Sequence, residues 1–241
     1  MYVQETIHAG KTLEIRRYFT ARYGKRIPRG EIKGKTSEAV ARQNAKRQER
    51  ELRWLLNENF QDGTDALVTL SWGKGTTPPE TSEEMKKEVQ KFFRRLRKKY
   101  RENGKELKYV YTMEIGPKGS RHIHVVLNEA DNFELWTTWQ GGVVDVQPLN
   151  SNGQYAKIAS YFAKYSQKTE KTEGKKLGRR YNPSLNLRKP KITKKIIKAV
   201  RFCKEPKERK GYFIDKELSS SGVNEFTGLP YLFITYQKLR D

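Results

Sequence analysis

The chain is short of sulfur and imidazole: its 241 residues include one cysteine, Cys203, and three histidines, His8, His122 and His124. A single thiol cannot close an internal disulfide, so a cross-linked secreted scaffold is excluded. No apolar run approaches the roughly 20 residues of a membrane span, or the apolar region of a secretory leader, and a reducing cytoplasm is the expected compartment. No Gly-rich loop of the GxxxxGK form followed by Ser or Thr is present, so any helicase motor has to come from a partner. There are no internal repeats. The length suffices to bury a core without covalent staples.

Acidic residues are also scarce, with 28 Asp and Glu against 50 Lys and Arg, a formal charge of +22. A surplus of this size points to a polyanionic partner, nucleic acid foremost. It is concentrated in two places. Residues 171–210 carry 16 basic and 3 acidic side chains, and residues 11–53 carry 14 and 5, which together account for all 22 charges. The remainder is balanced, 20 against 20. The pattern is that of a nearly neutral core with basic flanks suited to a phosphate backbone.

Four segments follow in order. Residues 1–36 are basic, Gly-interrupted and without sustained periodicity, and are expected as an arm that orders on binding. Residues 37–60 read as a helix on which Arg42, Lys46, Arg50 and Arg53 form a basic stripe, equally a wet surface or a phosphate rail. In residues 61–170, DALVTLSW (65–72) reads as a strand, and a helix starts at the capping box Thr81/Glu84 and stops at Asn103-Gly104. ELKYVYTMEI and RHIHVVLN, separated by GPKGS, form a hairpin; FELWTTW is a short helix, GGVVDVQPL a fourth strand, and QYAKIASYFAKYSQK a final helix. This order predicts an α+β fold of the split βαβ type, ferredoxin- or RRM-like, with helices on one face of an antiparallel sheet and the other face open as a substrate floor. Residues 171–241 are a basic, Pro-punctuated extension, expected to pack on the core and to end in a strand at GLPYLFITYQ.

Chemistry gathers on the hairpin. His122 and His124, two apart on a strand, project to the same face while Ile123 and Val125 point into the core. Symmetric pairing about Lys118 places Glu114 opposite His122; a one-residue slip would turn that carboxylate away. Two imidazoles and a carboxylate on a rigid sheet suit Mg²⁺ or Mn²⁺ when the substrate supplies phosphate oxygens. Asp145 or Gln147 on the fourth strand are alternative third ligands. On the last helix Tyr161 and Tyr165 lie four residues apart on one face, with Lys164 and Lys168 repeating that spacing. A tyrosine whose phenolate is stabilised can form a covalent intermediate, and neighbouring lysines can stabilise the phenolate or the phosphate. Tyr155 falls far round the helix and is expected to pack; His8 fits no cluster.

At these residues the chain resembles the HUH endonuclease superfamily, whose metal motif has two histidines flanking a hydrophobic residue, here HIH. LVTLSW resembles the family's first strand motif, ending in Ser-Trp where the family often has Thr-Tyr. YFAKYSQK resembles the two-tyrosine Tyr-x-x-Lys-Tyr motif of replication initiator A proteins of small single-stranded DNA phages. The likeness spans roughly residues 65–168, and the preceding helix and GRRYNPSLNLRKP also look like rolling-circle replication-associated proteins of bacteria and their mobile elements. It implies site-specific nicking and joining of single-stranded DNA, in which Tyr161 or Tyr165 attacks a metal-held phosphate, leaving a 5′-phosphotyrosine and a priming 3′-OH. Catalytic roles then fall to Tyr161, Tyr165, Lys164 and Lys168 and metal ligation to His122, His124 and Glu114. The substrates are single-stranded and origin DNA, the partners a host helicase and polymerase, and the setting a bacterial cytoplasm. The basic residues Arg42, Lys46, Arg50, Arg53, Arg179 and Arg180 are candidate DNA contacts.

Within the same chemistry, a plasmid-mobilising relaxase or a single-strand transposase is the alternative. From another class, an RRM-like nucleic-acid binder without catalysis shares the scaffold. Metal-dependent strand cleavage separates the two classes.

Overall fold

The computed structural model describes residues 1–21, 23–24, 38–116, 119–174, 180–198, 207–225 and 227–239. Cys203 and Arg179 lie outside them, as do residues 25–37 of the expected basic arm. The fold is α+β, and it divides into two compact units, Met1–Asn44 with Lys189–Asp241, and Ala45–Arg188. Among the described residues no helix is long and apolar enough to cross a membrane.

The first unit holds a five-stranded antiparallel sheet of order β8-β1-β2-β10-β9. Its strands are β1 (Tyr2–Ala9), β2 (Thr12–Phe19), β8 (Lys191–Ile197), β9 (Tyr212–Val223) and β10 (Pro230–Lys238). The last of these is the strand expected at GLPYLFITYQ. The first two correct the expectation of an unstructured arm: residues 2–19 form a hairpin closed at Gly10, whose φ of 53° suits the missing side chain. The alternation was masked by charge. Val3, Ile7 and Ala9 are buried on one face of β1, but Glu5 sits between them, also buried. It is tolerated because Arg16 Nη1 (2.9 Å), Lys194 Nζ (2.6 Å) and Tyr18 Oη (2.8 Å) all donate to its carboxylate. Leu13, Ile15, Ile234 and Tyr236 form an apolar cluster on this sheet.

The second unit is built on a sheet of order β6-β3-β5-β4-β7. It comprises α1 (Glu38–Asn59), most of which falls in this unit, β3 (Ala66–Trp72), α2 (Ser82–Glu102), β4 (Tyr109–Ile115) and β5 (Arg121–Leu127). Then come α3 (Asn132–Thr138), β6 (Gly142–Pro148), α4 (Ala156–Glu173) and β7 (Asn182–Pro183). The capping box of α2 is present, with Thr81 and Glu84 each accepting from the other's backbone N–H.

Helices cover both faces of this sheet, which corrects the placement on one face. Ala66, Val68, Leu70, Ile123 and Val125 pack with Met85, Val89, Phe92 and Leu96 of α2 and Leu135 of α3. On the opposite face Val110 and Val126 pack with Leu52 and Leu56 of α1 and Ile158, Ala159 and Phe162 of α4. Each such large side chain contributes roughly 1.5–3 kcal/mol of burial free energy. Successive valines, Val125 and Val126, are therefore both fully buried, as a strand covered on two sides requires. Only the end of the second face that carries His122 and His124 turns polar.

Candidate functional site

The hairpin register is the one that brings the polar residues together. Glu114 pairs with His122 and Thr112 with His124 across β4 and β5, while Ser71 and Thr69 of β3 stand opposite the same two histidines. Directly opposed residues share a face, so two cross-strand rows run side by side: Glu114, His122, Ser71 and Thr112, His124, Thr69.

Each imidazole is gripped at Nδ1 by a hydroxyl. Ser71 Oγ lies 2.7 Å from His122 Nδ1, and Thr69 Oγ1 lies 3.2 Å from His124 Nδ1. Glu114 reaches diagonally: its Oε2 accepts from His124 Nε2 at 3.0 Å, and its Oε1 accepts from Lys168 Nζ at 2.6 Å. An ionised carboxylate can only accept, so His124 carries its proton on Nε2 here and Nδ1 accepts from the Thr69 hydroxyl. Burial pushes the Glu114 pKa up, but the bonds from Lys168 and His124 outweigh it and hold the carboxyl below its ordinary value. For His124 burial prevails over Glu114 and lowers the pKa, favouring the neutral ring.

The helix after the fourth strand lays its tyrosines over this corner. Tyr165 stacks on His124 with ring centroids 3.9 Å apart and planes 13° apart, and Tyr161 follows at 6.3 Å from Tyr165. Lys168 Nζ stands 5.4 Å from the Tyr165 ring centre, and Lys164 Nζ 5.8 Å from that of Tyr161. The two phenols differ in setting. Tyr165 is half-buried, and burial together with the Glu114 charge raises its pKa, whereas Tyr161 is 48% exposed.

Two threonines that sequence reasoning passed over fix α4 on the sheet. Thr169 Oγ1 accepts from Ile115 N at 2.9 Å and donates to Met113 O at 3.0 Å, and Thr172 Oγ1 donates to Ile115 O at 3.0 Å. They satisfy backbone groups at the end of β4 that have no neighbouring strand there. The signal was present as Thr-x-x-Thr, one helical turn beyond Tyr165, on the face opposite solvent. Thr69 and Ser71 were passed over too, although their period of two matches that of the histidines.

Other sequence-derived candidates fall elsewhere. Asp145 and Gln147 share the histidine face but sit on β6, beyond β3, and bond to each other at 3.0 Å. Glu114 is the carboxylate in contact. Tyr155 is fully buried, as expected of a packing residue, and donates to Asp62 at 2.9 Å. His8 is exposed on β1 in the other unit. Along α1, Arg42 and Lys46 are exposed, Arg50 is half-buried with its guanidinium 5.5 Å from the Trp54 ring, and Arg53 is buried. The four-residue exposed stripe is thus corrected: the helix sinks into the core at its C-terminal half, taking Arg53 with it. Arg180 is half-buried, 3.7 Å from Glu170.

Two imidazoles and a carboxylate on adjacent strands have the donor chemistry for a divalent ion. In the present arrangement the two rings are 6.0 Å apart and both Glu114 oxygens are engaged. Among the described residues no group of three or more His, Cys, Asp or Glu converges as a metal site.

Residues 65–170 match the family model of the replication-associated protein ORF2. Neither the curated proteins nor the solved structures gave a match. The matched span runs from the residue before β3 into α4, and so contains both histidines, Glu114, both tyrosines and both hydroxyls described above. The similarity supports a role in DNA replication.

Proposed function

We propose that the second unit nicks and rejoins single-stranded DNA with a tyrosine nucleophile, initiating rolling-circle replication. The observation that carries this reading is the stacking of Tyr165 on His124, beside Glu114 and Lys168. A packing tyrosine needs only apolar neighbours; this one is seated on a charged and imidazole-lined corner of the sheet.

In this reading a phenolic oxygen attacks the scissile phosphorus and the bond to the 3′ oxygen breaks. The strand's 5′ phosphate is left on tyrosine, and the phenolic proton ends on the released 3′ oxygen. His122, His124 and Glu114 would hold Mg²⁺ or Mn²⁺, which supplies Lewis-acid stabilisation of charge on the phosphoryl oxygens. Ser71 and Thr69 keep the rings turned with Nε2 toward the reaction side, and a hydroxyl can donate or accept, so it tolerates either imidazole tautomer. Lys168 neutralises Glu114 and stands over the Tyr165 ring, where its ammonium can shift to phosphate. Tyr161, more exposed and one turn earlier, supplies a second nucleophile from the same helix face, so that a second cut can follow without release of the first strand end.

The test is an adduct assay with single-stranded oligonucleotides tiled across the neighbourhood of the gene, in Mn²⁺ or EDTA. Wild type, Tyr161→Phe, Tyr165→Phe and the double variant are resolved on denaturing gels. A protein-linked 5′ fragment that needs Mn²⁺ and disappears in the double variant is the expected result. Tight, metal-independent binding with no adduct on any oligonucleotide would instead identify a nucleic-acid binder on the same scaffold.

A further inference from the structure

A groove of about 480 Å³ lies between α2 and the edge of the sheet at β4 and β7, on the face away from the histidines. Residues 86, 90, 93 and 97 of α2 recur at intervals of four, three and four, so Lys86, Gln90, Phe93 and Arg97 line one wall as a single helical stripe. The other wall is Tyr109 and Tyr111 of β4, with Asn182 from the short edge strand paired to it. Phe93 and Tyr109 are stacked at 3.7 Å and 7°, and Tyr111 lies 5.4 Å from Phe93, so three rings form the floor.

The chemistry is ordered along the groove. A lysine stands at one end and an arginine at the other, about 16 Å apart along the axis at 1.5 Å per residue. Between them two carboxamides, Gln90 and Asn182, offer both donors and acceptors above the rings. No carboxylate lines the groove, and both cations are exposed. Arg97 is positioned by a bond from Nη2 to Tyr109 Oη at 3.4 Å. The helix itself is basic throughout, with nine Lys and Arg against four Glu. An apolar ligand would strand the two amides, and a simple anion would leave the rings unused. A ligand with aromatic faces, polar edges and spaced negative charges uses all of them, and that describes unpaired nucleotides.

We propose that this groove is a single-stranded DNA subsite, in which bases lie against Tyr109 and Tyr111 while successive phosphates meet Lys86 and Arg97. The proposal rests on the nicking function only for the choice of DNA as the strand. Tyr109 and Tyr111 point to the opposite side of β4 from Glu114, so the subsite anchors the strand outside the scissile position. Duplex DNA, whose bases are stacked inside, fits the floor poorly.

The test uses the full chain in EDTA, with fluorescence anisotropy on single-stranded and duplex oligonucleotides and a 2-aminopurine probe for stacking. Lys86→Ala/Arg97→Ala is compared with Lys87→Ala/Arg94→Ala, which removes equal charge from exposed positions of the same helix outside the groove lining. The groove pair should weaken single-strand binding about tenfold more than the control pair and lower the salt slope by about 1.4, at 0.7 per lost phosphate contact. Tyr109→Leu should cost about tenfold without changing that slope and should abolish 2-aminopurine quenching, with Tyr109→Phe restoring both. Equal losses for the two charge pairs together with a neutral Tyr109→Leu would overturn the subsite, as would equal losses on duplex. Adduct formation at saturating DNA separates the two claims. Groove-dependent binding without any adduct retains the subsite and removes the nicking function; an adduct with groove-independent binding does the reverse.

Discussion

Each of the two sheets buries a glutamate on a strand, and the two are held very differently. Glu5 in the first unit accepts from Arg16, Tyr18 and Lys194, of which the guanidinium is permanently charged and nearly as buried as its partner. Glu114 in the second unit accepts from His124 and Lys168, and a tyrosine is stacked on that same histidine. Glu5 is surrounded by groups that do nothing but satisfy it. Glu114 is surrounded by groups that can change protonation state, move or attack. A buried carboxylate is thus no indicator of chemistry by itself; the company it keeps decides.

The largest expected effect lies on the structural side of this contrast. Glu5→Ala leaves Arg16 buried without its partner and should destabilise the protein by about 3–5 kcal/mol in denaturant unfolding. Its pH dependence has a definite sign. Burial raises the Glu5 pKa, but Lys194, Tyr18 and Arg16 bring it below the ordinary 4.5. The stabilisation is therefore fully present above about pH 4.5 and is lost as pH falls through the lower folded value. Glu5→Gln should flatten stability across that acid range, and an unchanged acid limb would show that the carboxylate is not held as described.

Glu114→Gln should behave in the opposite proportion. The amide still accepts from Lys168 or His124, so the loss should stay at about 1–3 kcal/mol, while Mn²⁺-dependent adduct formation should disappear. A variant that melts like wild type and nicks like wild type would make Glu114 a second Glu5. Smaller still is Thr69→Val, which keeps shape and removes the hydroxyl on His124 Nδ1. It should weaken Mn²⁺ binding by about 10- to 100-fold in calorimetry, with Thr69→Ser restoring it.

Much of the catalytic corner was legible in the sequence because it obeys local periods. The spacing of two in RHIHVV, the tight turn after ELKYVYTMEI, and the spacing of four between Tyr161 and Tyr165 each determine a face, and the register follows from them. What could not be read depends on partners distant in sequence. Glu5 interrupts the apolar pattern of β1, and its compensation comes from Lys194, almost the whole chain away. Arg53 follows the spacing of an exposed stripe, but it lies at the level where α1 meets the core through Leu52 and Leu56. Helices on both faces were likewise unpredictable from strand order, since Val110 and Val126 declare a second buried face only once α1 and α4 are known to reach it.

The finest distinction concerns the two tyrosines, which differ by one helical turn and by what lies beneath them. Neither replacement by phenylalanine removes packing volume, so both should leave stability within about 0.5 kcal/mol of wild type. Adduct formation on an oligonucleotide with a single nick site should nevertheless separate them. Tyr165 is seated on His124, whereas Tyr161 is 48% exposed and must move inward to reach the same phosphate. Tyr165→Phe should therefore slow the first adduct more than Tyr161→Phe, and Tyr161→Phe should chiefly impair the second, joining step. The reverse ranking in single-turnover time courses would mean that the stacked ring is a packing element of the site, and that the exposed phenol is the one that attacks.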